Sequence, residues 1–319
     1  CIRDRLVPPE QDGVPYLSYL PIAPGQTFTY EFPLRHAGTY WYHSHTDLQE
    51  QSGVHGGIVV APEVEEARYE YEAVLVLQDW THERPVNVLA NLKKDGDYYA
   101  MAKDSVVSIA GYLKRGKLKS WLSNRWQRMG GMDVADVAYD AFFINGKRKL
   151  ELFPEAVPGD RIRLRFINAG ASTYFLLHSA GLPFEVIAAD GLDIEPVPVD
   201  EILHAVAETY DVVVTVPEGG ASELRATSQD GSGYASVYIG SGVPIEAKAM
   251  PKPDLYGGHE DHSRHSHHAG PRRLGYDDMQ NVDVAKYSGS SEPREVVLRL
   301  TGDMETYNWT FDNVPLSRA

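Results

Sequence analysis

The sequence predicts an all-β protein of short strands, broken once by a helical insertion. Three observations carry that prediction. The chain holds 19 Tyr, 9 Phe and 5 Trp beside 28 Gly and 20 Pro, the make-up of aromatic-rich strands joined by tight turns. Several segments alternate polar and apolar residues, the period-2 pattern of a strand with one buried face. Turn signals recur at intervals of about 8–12 residues, the rhythm of a sandwich or a barrel.

Taken in order, Pro24-Gly25 marks a turn before Thr27-Phe28-Thr29-Tyr30-Glu31-Phe32, which alternates as a strand. Residues 38–45 and Gly56–Val60 read as two more strands, and an acidic stretch with Glu63, Glu65 and Glu66 reads as a surface connection. Glu72–Leu77 is a buried strand ending at Asp79-Trp80. Residues 85–130 break the pattern. Leu118, Trp121, Leu122 and Trp126 recur at helical spacing, with Lys114, Arg115, Lys117, Lys119, Arg125 and Arg128 supplying a basic face. That face reads as solvated, with a lipid or partner surface as the alternative.

Strands resume at Ala141–Ile144, which runs into the tight-turn dipeptide Asn145-Gly146. Arg161–Phe166 alternates strictly, with arginines on one face and Ile162, Leu164 and Phe166 on the other. Tyr174–Leu177, Phe184–Ala188, Tyr210–Val216 and Ala235–Ile239 follow as strands. Residues 246–292 have the Pro-, Gly-, His- and Ser-rich composition of a linker. A new strand starts at Glu295–Leu300, and another begins at Trp309–Asp312.

Length and charge bound the function. A chain of 319 residues is about two domains long. No run approaches the roughly 18 apolar residues of a membrane-spanning helix. The net charge of −15 repels polyanions, so nucleic-acid binding is not expected. Cys1 is the lone cysteine, so neither an intrachain disulfide nor a CxxC metal site is available. The chain opens on Cys and no leader can be read. Together with the unfinished final strand, this makes a piece of a longer chain the expectation.

The sharpest chemical feature is Trp41-Tyr42-His43-Ser44-His45. Alternate side chains of a strand share a face, so His43 and His45 point the same way with Cα atoms about 6.6 Å apart. Two imidazoles so placed can share one metal ion, or contact one ion each of a close pair. Neutral imidazole suits zinc, copper, iron or nickel, and the spacing alone does not choose among them. A plain surface or core pair is the other reading, and a single zinc with hydrolytic chemistry would need a third ligand. A second feature is the tract His259, His262, His265, His267 and His268, which reads as a loose accessory metal site or as a polar linker with incidental histidines. His36, His55, His82, His178 and His204 read as ordinary side chains rather than ligands.

The context of the His pair resembles a known family. Gly38–His45 followed by Gln49, Gln51, Gly53 and Gly56 is similar to the first-domain HxH motif of multicopper oxidases. Asp12-Gly13-Val14-Pro15 and Pro24–Phe28 match the same family, as do Phe166–Gly170, Ala188–Gly191 and Ala207–Val212. The insertion, Trp80 and Thr301–Glu305 resemble its bacterial copper-resistance branch.

The resemblance implies tandem cupredoxin-like Greek-key barrels. Residues 1–62 would be the C-terminal part of a first domain and 63–245 a second domain carrying the insertion at about 85–130. Residues 246–292 would be a His-rich linker and 293–319 the start of a third domain. It also implies a copper-dependent oxidoreductase, in which His43 and His45 ligate the type 3 copper pair and the tract His259–His268 collects copper. Such an enzyme couples oxidation of Cu(I) or phenolic compounds to four-electron reduction of dioxygen to water, in the periplasm, as part of copper resistance. Ligands for type 1 and type 2 copper are not in this sequence, so the chain alone is expected to be inactive. A non-enzymatic copper-sequestering protein is the alternative.

Overall fold

The computed structural model describes residues 11, 20–64, 69–95, 98–103, 109–114, 116, 119, 122, 135–253, 270–282, 295, 297–303 and 308–314. The first paired elements are β1 (Gly38–His43) and β2 (His55–Val60), an antiparallel hairpin. Residues 27–32 form no strand despite their alternation. A strand needs a ladder partner as well as a half-apolar face, and among the described residues the sheet of β1 and β2 has those two members alone.

The body of the molecule is a pair of sheets. β3 (Tyr71–Trp80), β4 (Ala141–Ile144), β6 (Arg161–Asn168), β8 (Phe184–Ala189), β9 (Leu192–Val199) and β11 (Thr209–Thr215) form one, in the order β4-β3-β6-β11-β8-β9. β5 (Lys149–Leu152), β7 (Phe175–Ser179), β10 (Glu201–His204), β12 (Ala221–Ser228) and β13 (Tyr234–Ile239) form the other, in the order β10-β7-β12-β13-β5, with β14 (Pro244–Ile245) beside β12. Most neighbours are antiparallel, and β3 with β6 is a parallel pair at the centre of the first sheet. Leu77, Phe166 and Val212 from one sheet share a single buried cluster with Leu177, Leu224 and Val237 from the other, all with 0% exposure. Each contributes about 1.5–3 kcal/mol of burial. The Asn145-Gly146 turn follows β4 with both residues at positive φ, 51° and 74°, as a tight hairpin turn requires.

Strand β6 explains how the hairpin is held. Its apolar face, Ile162, Leu164 and Phe166, enters the sandwich core. Its arginine face is buried too, Arg163 to 6% and Arg165 to 2% exposure, because β1 and β2 lie across it. Gly57 permits the approach: a Cβ there would stand 2.9 Å from Ile167 Cδ1 and 3.1 Å from Val74 Cγ1.

Two helices of the insertion fall wholly among the described residues. α1 (Pro85–Lys94) opens on proline and ends on Lys93 and Lys94, both favourable placements, and it buries Val88 and Leu92 against Tyr99 and Val137. α2 (Ile109–Lys114) follows. Leu118, Trp121, Trp126, Arg115, Lys117, Arg125 and Arg128 lie outside the described residues, while Lys114 and Lys119 are exposed.

Residues 270–282, inside the stretch that composition reads as a linker, lie along β9 and β10. Arg273 Nε donates to Glu201 Oε1 at 2.7 Å, and backbone bonds join Asp200 to Arg272 and Glu195 to Gln280. Near the end, β15 (Leu300–Asp303) pairs with β16 (Asn308–Phe311), so pairing begins at the last residue of the predicted Glu295–Leu300 strand.

Candidate metal centre

Thr39, Trp41, His43 and His45 occupy alternate positions and so share one face of β1 and its continuation. Thr39 anchors that face to the sandwich. Its hydroxyl donates to Asp211 Oδ1 at 2.6 Å and accepts from Arg165 Nη1 at 2.8 Å, while its carbonyl accepts from Thr209 Oγ1 at 3.0 Å. The carboxylate of Asp211 also accepts from Arg163 Nη2 at 2.7 Å and Arg165 Nη1 at 2.8 Å. Arg165 Nη2 donates further to Glu72 at 3.0 Å.

Two residues on from Thr39, the Trp41 ring stacks on the His43 ring with centroids 4.0 Å apart and planes 3° from parallel. The His43 and His45 rings lie 4.4 Å apart. His43 is half-buried and His45 exposed. The two predicted site histidines are therefore brought together as their spacing requires.

The chain then folds back in a tight turn. Ser44 N donates to Val54 O at 3.1 Å, and the Ser44 hydroxyl donates to Gln49 Oε1 at 2.7 Å. Gly53, at φ 86°, closes the turn with its N–H on Glu50 O at 2.9 Å. This sets Glu50 Oε1 3.2 Å from His43 Nδ1, although that nitrogen makes no aligned hydrogen bond.

Two further residues join the site. His55 stands directly opposite His43 in the β1–β2 register, and Gln78 Nε2 donates to its Nε2 at 3.2 Å. Its Nδ1 is buried without a partner. Burial lowers the His55 pKa, and the carboxylates of Glu50 and Asp79 partly oppose this. Sequence reasoning set His55 aside as an isolated residue; pairing the HxH strand with Gly53–Gly57 as a hairpin would have placed it.

Behind the turn, Asp79 accepts backbone N–H bonds from Ala171, Ser172 and Thr173 at 3.0–3.1 Å. The Tyr139 hydroxyl donates to Gln51 Oε1 at 3.4 Å and lies 2.9 Å from Ser172 Oγ. Its pKa is raised well above the ordinary value by burial and by the Asp79 charge.

The pair suits a metal. No side-chain hydrogen bond is formed by His45 among the described residues, and the His43 and His45 rings lie side by side, 4.4 Å apart. Among the described residues no three His, Cys, Asp or Glu side chains come together to hold one ion, so the pair offers part of a ligand set. The tract His259, His262, His265, His267 and His268 lies outside the described residues.

The remaining histidines have structural places. His36 and His82 are exposed. His178 Nε2 lies 3.1 Å from Thr227 Oγ1. His204 is fully buried beside the Tyr210 and Phe166 rings and donates from Nε2 to Glu208 O at 2.8 Å. Burial lowers its pKa to about 4. Between about 6.5 and about 4 the unfolded chain takes a proton that the folded one refuses, so the His204 contribution is full above 6.5 and lost as the pH falls. The loss is about 3 kcal/mol. Urea titrations of wild type and His204→Phe should show wild type losing that much more stability between about pH 7 and pH 4; equal losses would contradict the assignment.

A two-sheet β-sandwich with an HxH hairpin docked on its flank defines a protein of the cupredoxin-like class. Two family models described as multicopper oxidase match residues 6–65 and 72–229, and the chain belongs to that family, in its copper-resistance branch. It is 42% identical over 254 residues to Copper resistance protein A of Escherichia coli, covering 77% of this chain and 42% of that protein. It is 30% identical over 301 residues to Multicopper oxidase MmcO of Mycobacterium tuberculosis, covering 93% of this chain and 54% of that protein. The chain thus spans about half or less of the length of these relatives. The crystal structure of Fet3p, a multicopper oxidase that functions in iron import, shares the fold with a TM-score of 0.63 at 20% identity, over 96% of this chain and 51% of that one.

Proposed function

We propose that the protein containing this chain is a periplasmic copper oxidase of copper tolerance. It removes electrons singly from Cu(I), or from a phenolic compound, and delivers four to dioxygen. With Cu(I) the balance is four Cu(I), one dioxygen and four protons giving four Cu(II) and two water molecules. The observation that carries this reading is the side-by-side placement of the His43 and His45 rings, 4.4 Å apart, in a chain of the multicopper oxidase family.

Copper, when bound, supplies one-electron redox steps that no side chain offers alone. His43 and His45 would hold the type 3 pair. Trp41 packs flat against His43 and restricts its ring. Thr39, tied to Asp211, holds their strand against the second domain, which acts as scaffold. The His259–His268 tract would gather copper loosely. No helix among the described residues is long and apolar enough to cross a membrane.

The test is an oxygen-electrode assay of the complete, copper-loaded protein given Cu(I). One dioxygen consumed per four Cu(I), without hydrogen peroxide, is the expected result. Copper uptake with no oxygen consumption would replace this reading with sequestration.

A further inference from the structure

We infer that Glu50 is a positioning residue that fixes the tautomer of His43. Its carboxylate takes the proton-bearing Nδ1 as partner, so that Nε2 is the nitrogen left free for a metal. The inference deepens the copper reading and rests on it for the identity of the ion.

Three observations converge on the His43 ring. One face is covered by Trp41, parallel at 4.0 Å, so the ring cannot flip freely about its own axis. The Nδ1 edge is turned toward the fold, where the atom is buried and lacks an aligned hydrogen bond. Glu50 Oε1 waits 3.2 Å from that atom, within reach of a hydrogen bond after a small rotation of the carboxylate. The backbone places Glu50 there: its carbonyl is held by Gly53 N–H at 2.9 Å, and Val54 N–H is bonded to Gln49 O at 3.0 Å.

A buried N–H left without an acceptor is costly. A carboxylate that accepts from one imidazole nitrogen fixes the proton there and raises the basicity of the other. Other acceptors do not compete for the role: Gln78, the side chain that bonds the neighbouring His55, turns its Nε2 to that ring, and the Gln49 amide oxygen is taken by Ser44. The carboxylate–imidazole pair arises from a turn, not from the HxH motif itself.

The test uses the 319-residue chain, copper-free and labelled with 15N-histidine, at about pH 8.5 so that imidazoles are neutral. His43→Ala assigns the resonance. Wild type is expected to show a protonated Nδ1 and a bare Nε2 at His43. Glu50→Gln, whose amide oxygen still accepts, keeps that pattern, and Glu50→Leu moves the proton to Nε2. A wild-type His43 protonated at Nε2 overturns the inference without any variant, and so does a Glu50→Leu chain with an unchanged tautomer.

Ag(I), a diamagnetic stand-in for Cu(I), gives the second readout. The His43 Nε2 signal should respond to about 10–100-fold less Ag(I) in wild type than in Glu50→Leu. If Ag(I) never perturbs His43 while the tautomer still follows Glu50, the positioning role stands and the copper reading is the one that fails.

Discussion

Replacing His43 and His45 together by alanine in the complete protein is expected to reduce dioxygen uptake to background and to lower the bound copper, with the fold intact. The two side chains supply imidazole nitrogens at the end of β1, where their rings meet at 4.4 Å. Neither carries the sandwich: the core cluster is made by other residues, and His45 is exposed. The strand itself is held from Thr39, through Asp211 and Thr209. Loss of the Trp41 stack removes at most about 0.5–1.5 kcal/mol, so unfolding should shift by no more than that. His45→Ala alone is the cleaner variant, since no hydrogen bond of the described residues is lost with it. Elemental analysis and an oxygen electrode decide the matter. A double variant with wild-type copper content and wild-type uptake would remove His43 and His45 from the metal site, and with them the main support for the proposed oxidase.

What could be read from the sequence was local. The His pair needed only the two-residue period of one strand. β6 was visible because Ile162, Leu164 and Phe166 alternate with arginines, and β8, β11 and β13 because they are rich in β-branched and aromatic residues. β12 was missed for the opposite reason. It is Ala-Ser-Glu-Leu-Arg-Ala-Thr-Ser, central in its sheet and buried throughout. Its polar face is satisfied by partners that no local pattern announces: Glu223 accepts from Arg225 Nη2 and from Ala247 N–H, both at 2.7 Å, and Arg225 lies over the Tyr234 ring at 4.1 Å. β9 hid behind Pro196 and Pro198, which are tolerated because β9 is an edge strand.

The same divide runs through the site. Glu50 and His55 reach His43 only because the turn from Thr46 to Val54 closes in a particular register. Gln78 comes from β3, in the sandwich. Alternation put Arg163 and Arg165 on a common face, but it could not say that a hairpin covers them. That cover buries the arginine face, ordinarily a solvated one, with Arg163 and Arg165 held against Asp211.

Asp211→Ala should therefore destabilise the protein by about 3–5 kcal/mol, read as a drop in the urea midpoint with an unchanged slope. Asp211 is 1% exposed and accepts from Thr39, Arg163 and Arg165 at 2.6–2.8 Å. Removing it takes the shared carboxylate away from two buried guanidinium groups. Arg165 keeps the neutral Thr39 hydroxyl at 2.8 Å and, as a charged partner, the partly exposed Glu72 at 3.0 Å, and a buried charge that loses its main partner costs far more than the pair contributed. The asymmetry gives the sharper check. Replacing Arg163, Arg165 and Asp211 together by methionine, methionine and leucine removes all three charges of this cluster at once, so it should cost less than Asp211→Ala alone. Since Thr39 loses its anchor with Asp211, the hairpin should loosen as well, and Trp41 fluorescence should shift to the red before the sandwich unfolds. An Asp211→Ala protein within about 1 kcal/mol of wild type, or a triple variant weaker than the single one, would mean that the arginine face is held by packing on Gly57 and Ile167 rather than by its charges.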